Sequence, residues 1–262
     1  MECLLVKEND SSKSGNVHTS WYMTANSQLD LTHRRHEAEW LDGANIDPRE
    51  LEEVLRGLAR FNGAFLGHYP VLRCLRRAIK STPTGTSLTI FDVGCGYGDL
   101  LRAIRRLSRR YSAELNLVGI DSNPETIRIA RAATNPADQI EFRVMNIFEL
   151  PRTASIDFII SSLVTHHLTD SEITEFLQLM EAAARRGWLI YDLQRHWFLY
   201  RSIGHIGRLA RMHPMVVRDG QISVTRSLTR TEWEERLAAA GISPKDATIR
   251  WFFYRFLIER LR

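Results

Sequence analysis

Two kinds of apolar pattern run along this chain, and the change between them divides it. From residue 86 onward, continuous apolar runs alternate with stretches of helical spacing. The runs Leu88–Val93, Asn116–Asp121, Ile140–Met145, Asp157–Leu163 and Trp188–Asp192 predict strands. Unbroken apolar runs suit strands buried on both faces, as in a parallel sheet. Helices are predicted over Asp99–Tyr111, Pro124–Thr134 and Asp170–Arg185, the last opened by a capping box of Thr169 and Glu172. A further helix starts at Thr231 and stops at Gly241, and two apolar-rich strands follow, Thr248–Trp251 and Tyr254–Glu259. Such alternation predicts an α/β fold: a doubly wound, mainly parallel seven-stranded sheet with ligands at the carboxyl ends of its strands.

The pattern before residue 86 is different. Residues 1–30 are polar and aperiodic and are expected to be disordered. Arg35 to Leu41 predicts a short helix broken at Gly43. Asp47 as N-cap and Pro48 at the first helical position begin another, with Leu51, Val54, Leu55, Leu58 and Phe61 as its buried stripe. A third helix, Gly67 to Lys80, ends in the breaker run Ser81–Gly85. The organisation expected is therefore a helical extension over 31–85 covering the active site, and a core over 86–262. The core carries a lid insertion at about 195–228. Within the insertion Trp197, Phe198, Tyr200, Ile203, Ile206 and Leu209 interleave with Arg201, His205, Arg208 and Arg211. An amphipathic basic helix of this kind either lies on a membrane surface or closes over a substrate, and the lid is the preferred reading.

Composition narrows the picture modestly. The chain has 262 residues, 44% hydrophobic and 25% charged, as a soluble globular protein should. Its three cysteines, Cys3, Cys74 and Cys95, form neither a metal-ligand spacing nor a disulfide framework, which favours a reducing compartment. With no apolar run long enough to span a bilayer and no secretory signal, a cytoplasmic location is expected. The net charge of +4 comes from arginines scattered over several helices, including Arg73, Arg76, Arg102 and Arg105. Scattered arginines at helical spacing read as a solvated face, so nucleic acid is not a favoured partner.

The chemistry centres on Asp92-Val93-Gly94-Cys95-Gly96-Tyr97-Gly98-Asp99, which follows a strand and opens a helix. Glycines at 94, 96 and 98 allow a tight turn and close approach of a ligand, and the helix start presents unpaired N–H groups. Asp121 closes the next strand, where a carboxylate meets paired ribose hydroxyls. A dinucleotide fingerprint would place Gly or Ala at position 99. Asp99 opposes a pyrophosphate but suits a cofactor carrying an amine and a sulfonium.

Asp92 to Gly98 resembles the first motif of class I S-adenosylmethionine-dependent methyltransferases, and Gly119-Ile120-Asp121 resembles their second. The resemblance covers residues 88–192 and the C-terminal strand pair. It implies that Asp92, Gly94, Cys95, Gly96 and Gly98 line the methionine and ribose of S-adenosylmethionine. It also implies that Asp121 binds the ribose hydroxyls, with Ser122 beside the adenine. Where the family usually has an Asp that meets the adenine amino group, this chain has Asn146, followed by Ile147. Ser161 and Ser162 fall where the family passes along the methionine end. A narrower resemblance, in Trp40-Leu41-Asp42, Leu55 to Asn62 and Tyr191 to His196, is to bacterial methyltransferases of aromatic polyketide or quinone pathways. It implies a small aromatic acceptor.

Methyl transfer needs alignment above all, and a hydroxyl acceptor must also lose a proton. His166 and His167 sit in the loop after the fourth strand, and adjacent residues on an extended chain face opposite ways, so at most one should enter the cleft. Either acts in acid–base chemistry or holds the loop by a hydrogen bond. As metal ligands the pair lacks a third partner at a recognisable spacing, and no metal is expected. Asp192 orients Arg195 or His196, accepts the acceptor's proton, or caps the next segment; Arg195 is placed to stabilise a phenolate. Trp40, Asn62 and Tyr69 are further pocket candidates. Two rivals remain. Base methyltransferases carry Asn/Asp-Pro-Pro-aromatic or Pro-Cys motifs at the fourth strand, where this chain reads Ser161-Ser162-Leu163-Val164. A non-catalytic module keeping the cofactor fold is separated by turnover. Asp121→Ala should weaken S-adenosylmethionine binding in a calorimetric titration, whereas His167→Ala should mainly slow turnover.

Overall fold

A computed structural model describes residues 30–262 apart from 44, 45, 65, 66, 84, 112, 210, 211 and 213. The disorder expected for the N-terminal segment falls outside these residues, as does Arg211. Five parallel strands form most of one sheet: β1 (Ser87–Val93), β2 (Glu114–Asp121), β3 (Ile140–Val144), β4 (Ile156–Ser162) and β5 (Ala184–Leu193). β6 (Thr248–Phe252) and β7 (Arg255–Leu261) complete it, with β7 antiparallel to both β5 and β6. The order is β3-β2-β1-β4-β5-β7-β6. After β1 the chain moves to one side for β2 and β3, then crosses to the other for β4. A crevice opens at the carboxyl ends of β1 and β4, where such a reversal admits a ligand.

Alternate residues of each strand feed two apolar layers, as strand geometry requires. Ile90, Leu117, Phe158, Ile160 and Leu189 pack with Leu75 of α2 (Tyr69–Ser81), Leu101 of α3 (Asp99–Arg109) and Ile127 of α4 (Pro124–Ala132). Phe91, Val118, Ile159, Trp188 and Ile190 pack with Phe176 of α5 (Asp170–Ala183) and Trp233 of α8 (Arg230–Ala239). Both faces of the sheet are covered, which is why its strands read as unbroken apolar runs. The preceding helix α1 (Pro48–Ala64) starts as predicted, with Asp47 Oδ1 accepting from the N–H groups of Arg49 and Glu50.

Three expectations need correction. Arg35 to Leu41 is not a helix: residues 34–39 carry no regular structure, and only Trp40–Asp42 make a 3₁₀ turn. Tertiary bonds override the local preference here, since Arg35 N–H donates to Thr225 O and Glu37 O accepts from Arg226. Tyr254 is not a strand residue. With Phe253 it forms the two-residue turn joining β6 and β7, at φ values of 56° and 46°, so the last strand starts at Arg255. The stretch expected to form a lid holds two helices, α6 (Trp197–Leu209) and α7 (Pro214–Arg226), where the sequence pattern showed only the first.

The junction of β5 and β7 has no room for a side chain at Gly187, where an added Cβ would stand 2.3 Å from Arg260 O. Gly187→Ala should therefore destabilise the chain by about 1–3 kcal/mol, read as a lowered melting temperature.

Candidate active site

A cavity of ≈ 1000 Å³ opens at the switch point between β1 and β4. The glycine loop forms one wall. Gly94, Gly96 and Gly98 all have positive φ, at 66°, 49° and 74°. A Cβ at Gly94 would collide with Val164 and one at Gly98 with Phe142, whereas one at Gly96 would meet no atom within 4 Å. Gly96 thus turns its bare face to the cavity, a cradle that a side chain would fill. Its N–H donates to Asp121 Oδ2 at 3.3 Å, and Asn123 N–H donates to Oδ1 at 3.0 Å, fixing that carboxylate at the cavity edge.

Three carboxylates crowd this end: Asp92, Asp99 and Asp121. Burial, and then the charges of Asp99 and Asp121, push the Asp92 carboxyl well above its usual range. Burial raises Asp121 too, opposed by its two backbone donors. His68, from the turn before α2, reaches Asp99 with Nε2 2.7 Å from Oδ2. The wall therefore favours a cationic ligand and would repel a pyrophosphate, which fits a sulfonium nucleoside. Ser122, Met145, Asn146, Ile147 and Ser162 also line the cavity. Asn146 Oδ1 already accepts from Phe148 N–H at 3.1 Å. Ser161 is turned away: strand alternation buries it in the sheet with its hydroxyl unpartnered.

Another part of the wall is built by the loop after β4, whose Val164 packs against Gly94. Leu163 adopts φ 60°, and Thr165–His167 coils into a 3₁₀ turn. Both histidines consequently line the cavity, against the expectation that only one would; their ring centroids stand 4.3 Å apart. Asp192, wholly buried at the end of β5, does not reach the cavity. Its oxygens take the Thr165 hydroxyl, His166 N–H at 3.1 Å, His166 Nδ1 at 2.7 Å and Leu193 N–H at 2.7 Å. Burial alone would raise its carboxyl, but the His166 imidazole and these donors hold it below the usual carboxylate range. It orients His166, not Arg195 or His196. His167 Nδ1 meets Asp42 Oδ1 at 2.8 Å.

Two sequence candidates lie elsewhere. Arg195 is buried and bonds Leu31 O, Ser227 O and Glu232, so it pins the extension to α8 and does not face an acceptor. His196 Nδ1 accepts from Phe198 N–H, and its ring stacks on Trp197. The aromatic side chains of α6 do not cover the cavity: Trp197 and Phe198 are exposed, while Ile203, Ile206 and Gly207 line it. Asn62 lines the cavity, but Trp40 and Tyr69 do not.

Sequence reasoning missed Glu39, Asp42, Arg226 and Arg255, of which the first two and Arg255 line the cavity. Glu39 is 5% exposed and accepts from Ser223 Oγ at 2.9 Å. Burial pushes its carboxyl up to about 7. Arg226 reaches from α7 to Asp42 Oδ2 at 2.6 Å and to the carbonyls of His166 and His167 at 3.0 and 3.1 Å. No local pattern announces these groups, because they meet across segments far apart in the chain.

Residues 90–187 match a family model described as a methyltransferase domain. A ubiquinone biosynthesis O-methyltransferase of Methylobacterium sp. (strain 4-46) is 28% identical over 168 residues, 57% of this chain and 64% of that protein. A probable fatty acid methyltransferase of Pseudomonas putida is 26% identical over 39% of this chain and 26% of its own length. The chain thus spans less than two thirds of each of these relatives. Among solved structures, human N-acetylserotonin methyltransferase with S-adenosylmethionine superposes with TM-score 0.57 at 16% identity, covering 82% of this chain and 56% of that one. The plantazolicin methyltransferase BpumL with S-adenosylhomocysteine gives TM-score 0.57 at 16% identity, over 82% and 95%. At such identity the two structures establish a shared fold.

Asp92 generates a pH prediction. Its folded-state pKa lies above the unfolded value of 3.8, so the ligand-free chain is stabilised below that pH and loses this contribution as pH rises. Asp92→Asn should flatten that decline and raise the melting temperature at pH 7.5. If Asp92 holds the cofactor, the same change should weaken S-adenosylmethionine binding roughly 10- to 100-fold.

Proposed function

We propose that this chain, a class I S-adenosylmethionine-dependent methyltransferase, methylates a small molecule, and that the reaction is O-methylation of a phenolic, hydroquinone or polyketide-derived acceptor. The observation carrying this reading is one cavity that joins the glycine loop and Asp121 to a pair of histidines backed by carboxylates. Asp92, Gly94, Gly96 and Asp121 would hold the cofactor, with Ser122, Asn146 and Ile147 toward its adenine. S-adenosylmethionine supplies an electrophilic methyl group on a sulfonium centre.

The chain's own work is to present an oxygen lone pair to that centre. Leu51, Leu55, Leu58 and Phe61 of α1 and Ile203 and Val216 of the lid line the cavity and suit an aromatic or hydrocarbon body. An acceptor hydroxyl set among His166, His167 and Glu39 meets groups able to take its proton. Both Nδ1 atoms face carboxylates, Asp192 and Asp42, which leaves both Nε2 atoms as acceptors toward the cavity. Asp192 and Asp42 act as positioning residues, holding the ring tautomers and stabilising an imidazolium if one forms. The ubiquinone O-methyltransferase relative supports oxygen as the acceptor atom. The acidic glycine-loop wall, with Asp92, Asp99 and Asp121, does not suit a phosphate backbone.

Incubation with methyl-labelled S-adenosylmethionine and a panel of catechols, hydroquinones, aromatic polyketides and fatty acids tests this. The expected product carries the label on a phenolic oxygen. Cofactor binding without transfer to any acceptor would overturn the enzymatic reading, and label on carbon would overturn the O-methylation.

A further inference from the structure

We infer that Glu39, His166 and His167 form a binding site for one divalent transition-metal cation. Only the cation's role toward an acceptor oxygen rests on the methyl-transfer reading; the site itself does not.

The geometry starts from the 3₁₀ turn at Thr165–His167, which brings two neighbouring imidazoles onto one side. Glu39, delivered by the extension, stands between them: Oε1 is 3.7 Å from His166 Nε2 and Oε2 is 3.9 Å from His167 Nε2. The ligand atoms of the three residues all lie within 4.8 Å of one another. In a two-histidine, one-carboxylate centre with bonds of about 2.0–2.2 Å, the donor atoms stand roughly 3.0–3.5 Å apart. The two Glu39–histidine distances exceed that range by a few tenths of an ångström, and all three residues line the cavity.

Hydrogen bonding gives the reason for a cation. Asp192 and Asp42 occupy the two Nδ1 atoms at 2.7 and 2.8 Å, so each ring donates from Nδ1 and offers a lone pair at Nε2. Two imidazole lone pairs then converge on the Glu39 carboxyl, whose Oε1 also accepts from Ser223 Oγ. Carboxylate–histidine pairs of this form also back metal-bound imidazoles, fixing the tautomer and raising ligand basicity. Charge points the same way. Glu39, Asp42 and Asp192 face the cluster, and Arg226 answers one of them, at 2.6 Å from Asp42 and 3.8 Å from Glu39. Arg34 is paired with Asp170 at 2.8 Å. Around the two imidazoles, carboxylates thus outnumber guanidiniums, a setting that a bound cation suits. Imidazole and carboxylate donors suit Zn²⁺, Co²⁺, Mn²⁺ or Fe²⁺ over Mg²⁺ or Ca²⁺. Set there, the cation would polarise an acceptor hydroxyl and ease release of its proton to solvent, in place of an imidazole base.

The full chain, stripped with a chelator and dialysed, would be titrated with Co²⁺ by visible absorption and with Zn²⁺ by calorimetry. S-adenosylmethionine affinity is measured alongside, independently of turnover. One saturable cation per chain is expected, weakened ~100-fold or more in Glu39→Gln and His167→Gln and unchanged in His205→Gln, a remote exposed histidine. Because Glu39 is buried, half-exposed His167→Gln is the decisive variant, its fold certified by unaltered circular dichroism. No saturable binding by the wild type, or equal binding by His167→Gln, overturns the site. Cation binding without cofactor binding would keep the site and sink the methyl-transfer reading; the reverse would sink the site alone.

Discussion

One buried carboxylate organises the end of the sheet where the site forms. Asp192 closes β5 with 2% exposure, and a charge so placed is tolerable only if its oxygens are satisfied. The donors come from Thr165, His166 and Leu193. Most of them belong to the loop after β4, so satisfying Asp192 coils that loop into a tight turn and fixes the direction of two imidazole rings. The turn places side chains that an extended loop would have sent apart.

The extension finishes what this carboxylate begins. Arg34 donates to the carbonyls of Thr165, His166 and Leu168, and Arg226 to those of His166 and His167. Two guanidiniums thus satisfy the backbone acceptors of a loop that neither helix nor sheet can pair. Held this way, residues 34–39 stay irregular and bring Glu39 and Asp42 to the histidines. The segment's hydrogen bonds go to tertiary partners, so it gains nothing by closing a helix.

Two groups of charged and polar side chains line the one cavity. Around the glycine loop, Asp92, Asp99 and Asp121 concentrate negative charge beside backbone that a ligand can approach at Gly96. In the loop after β4, His166 and His167 bring acceptor lone pairs to the same cavity, which aliphatic side chains of α1 and α6 also line. The first suits a cationic ligand, and the second offers acceptor lone pairs to a donor group.

The strands, their parallel arrangement and the glycine loop were legible in the order of residues. Their causes are local: unbroken apolar runs need two covered faces, and glycines at 94, 96 and 98 allow positive φ. Asp121 was legible for the same reason, as the residue closing the strand next to that loop. Beyond this reach lay the extended form of residues 34–39, the helix α7, the inward turn of Arg195, and the meeting of Glu39 and Asp42 with His166 and His167. Those outcomes depend on hydrogen bonds and burial between segments distant in the chain. Local propensity carries no record of such partners, so only the packed tertiary structure decided them.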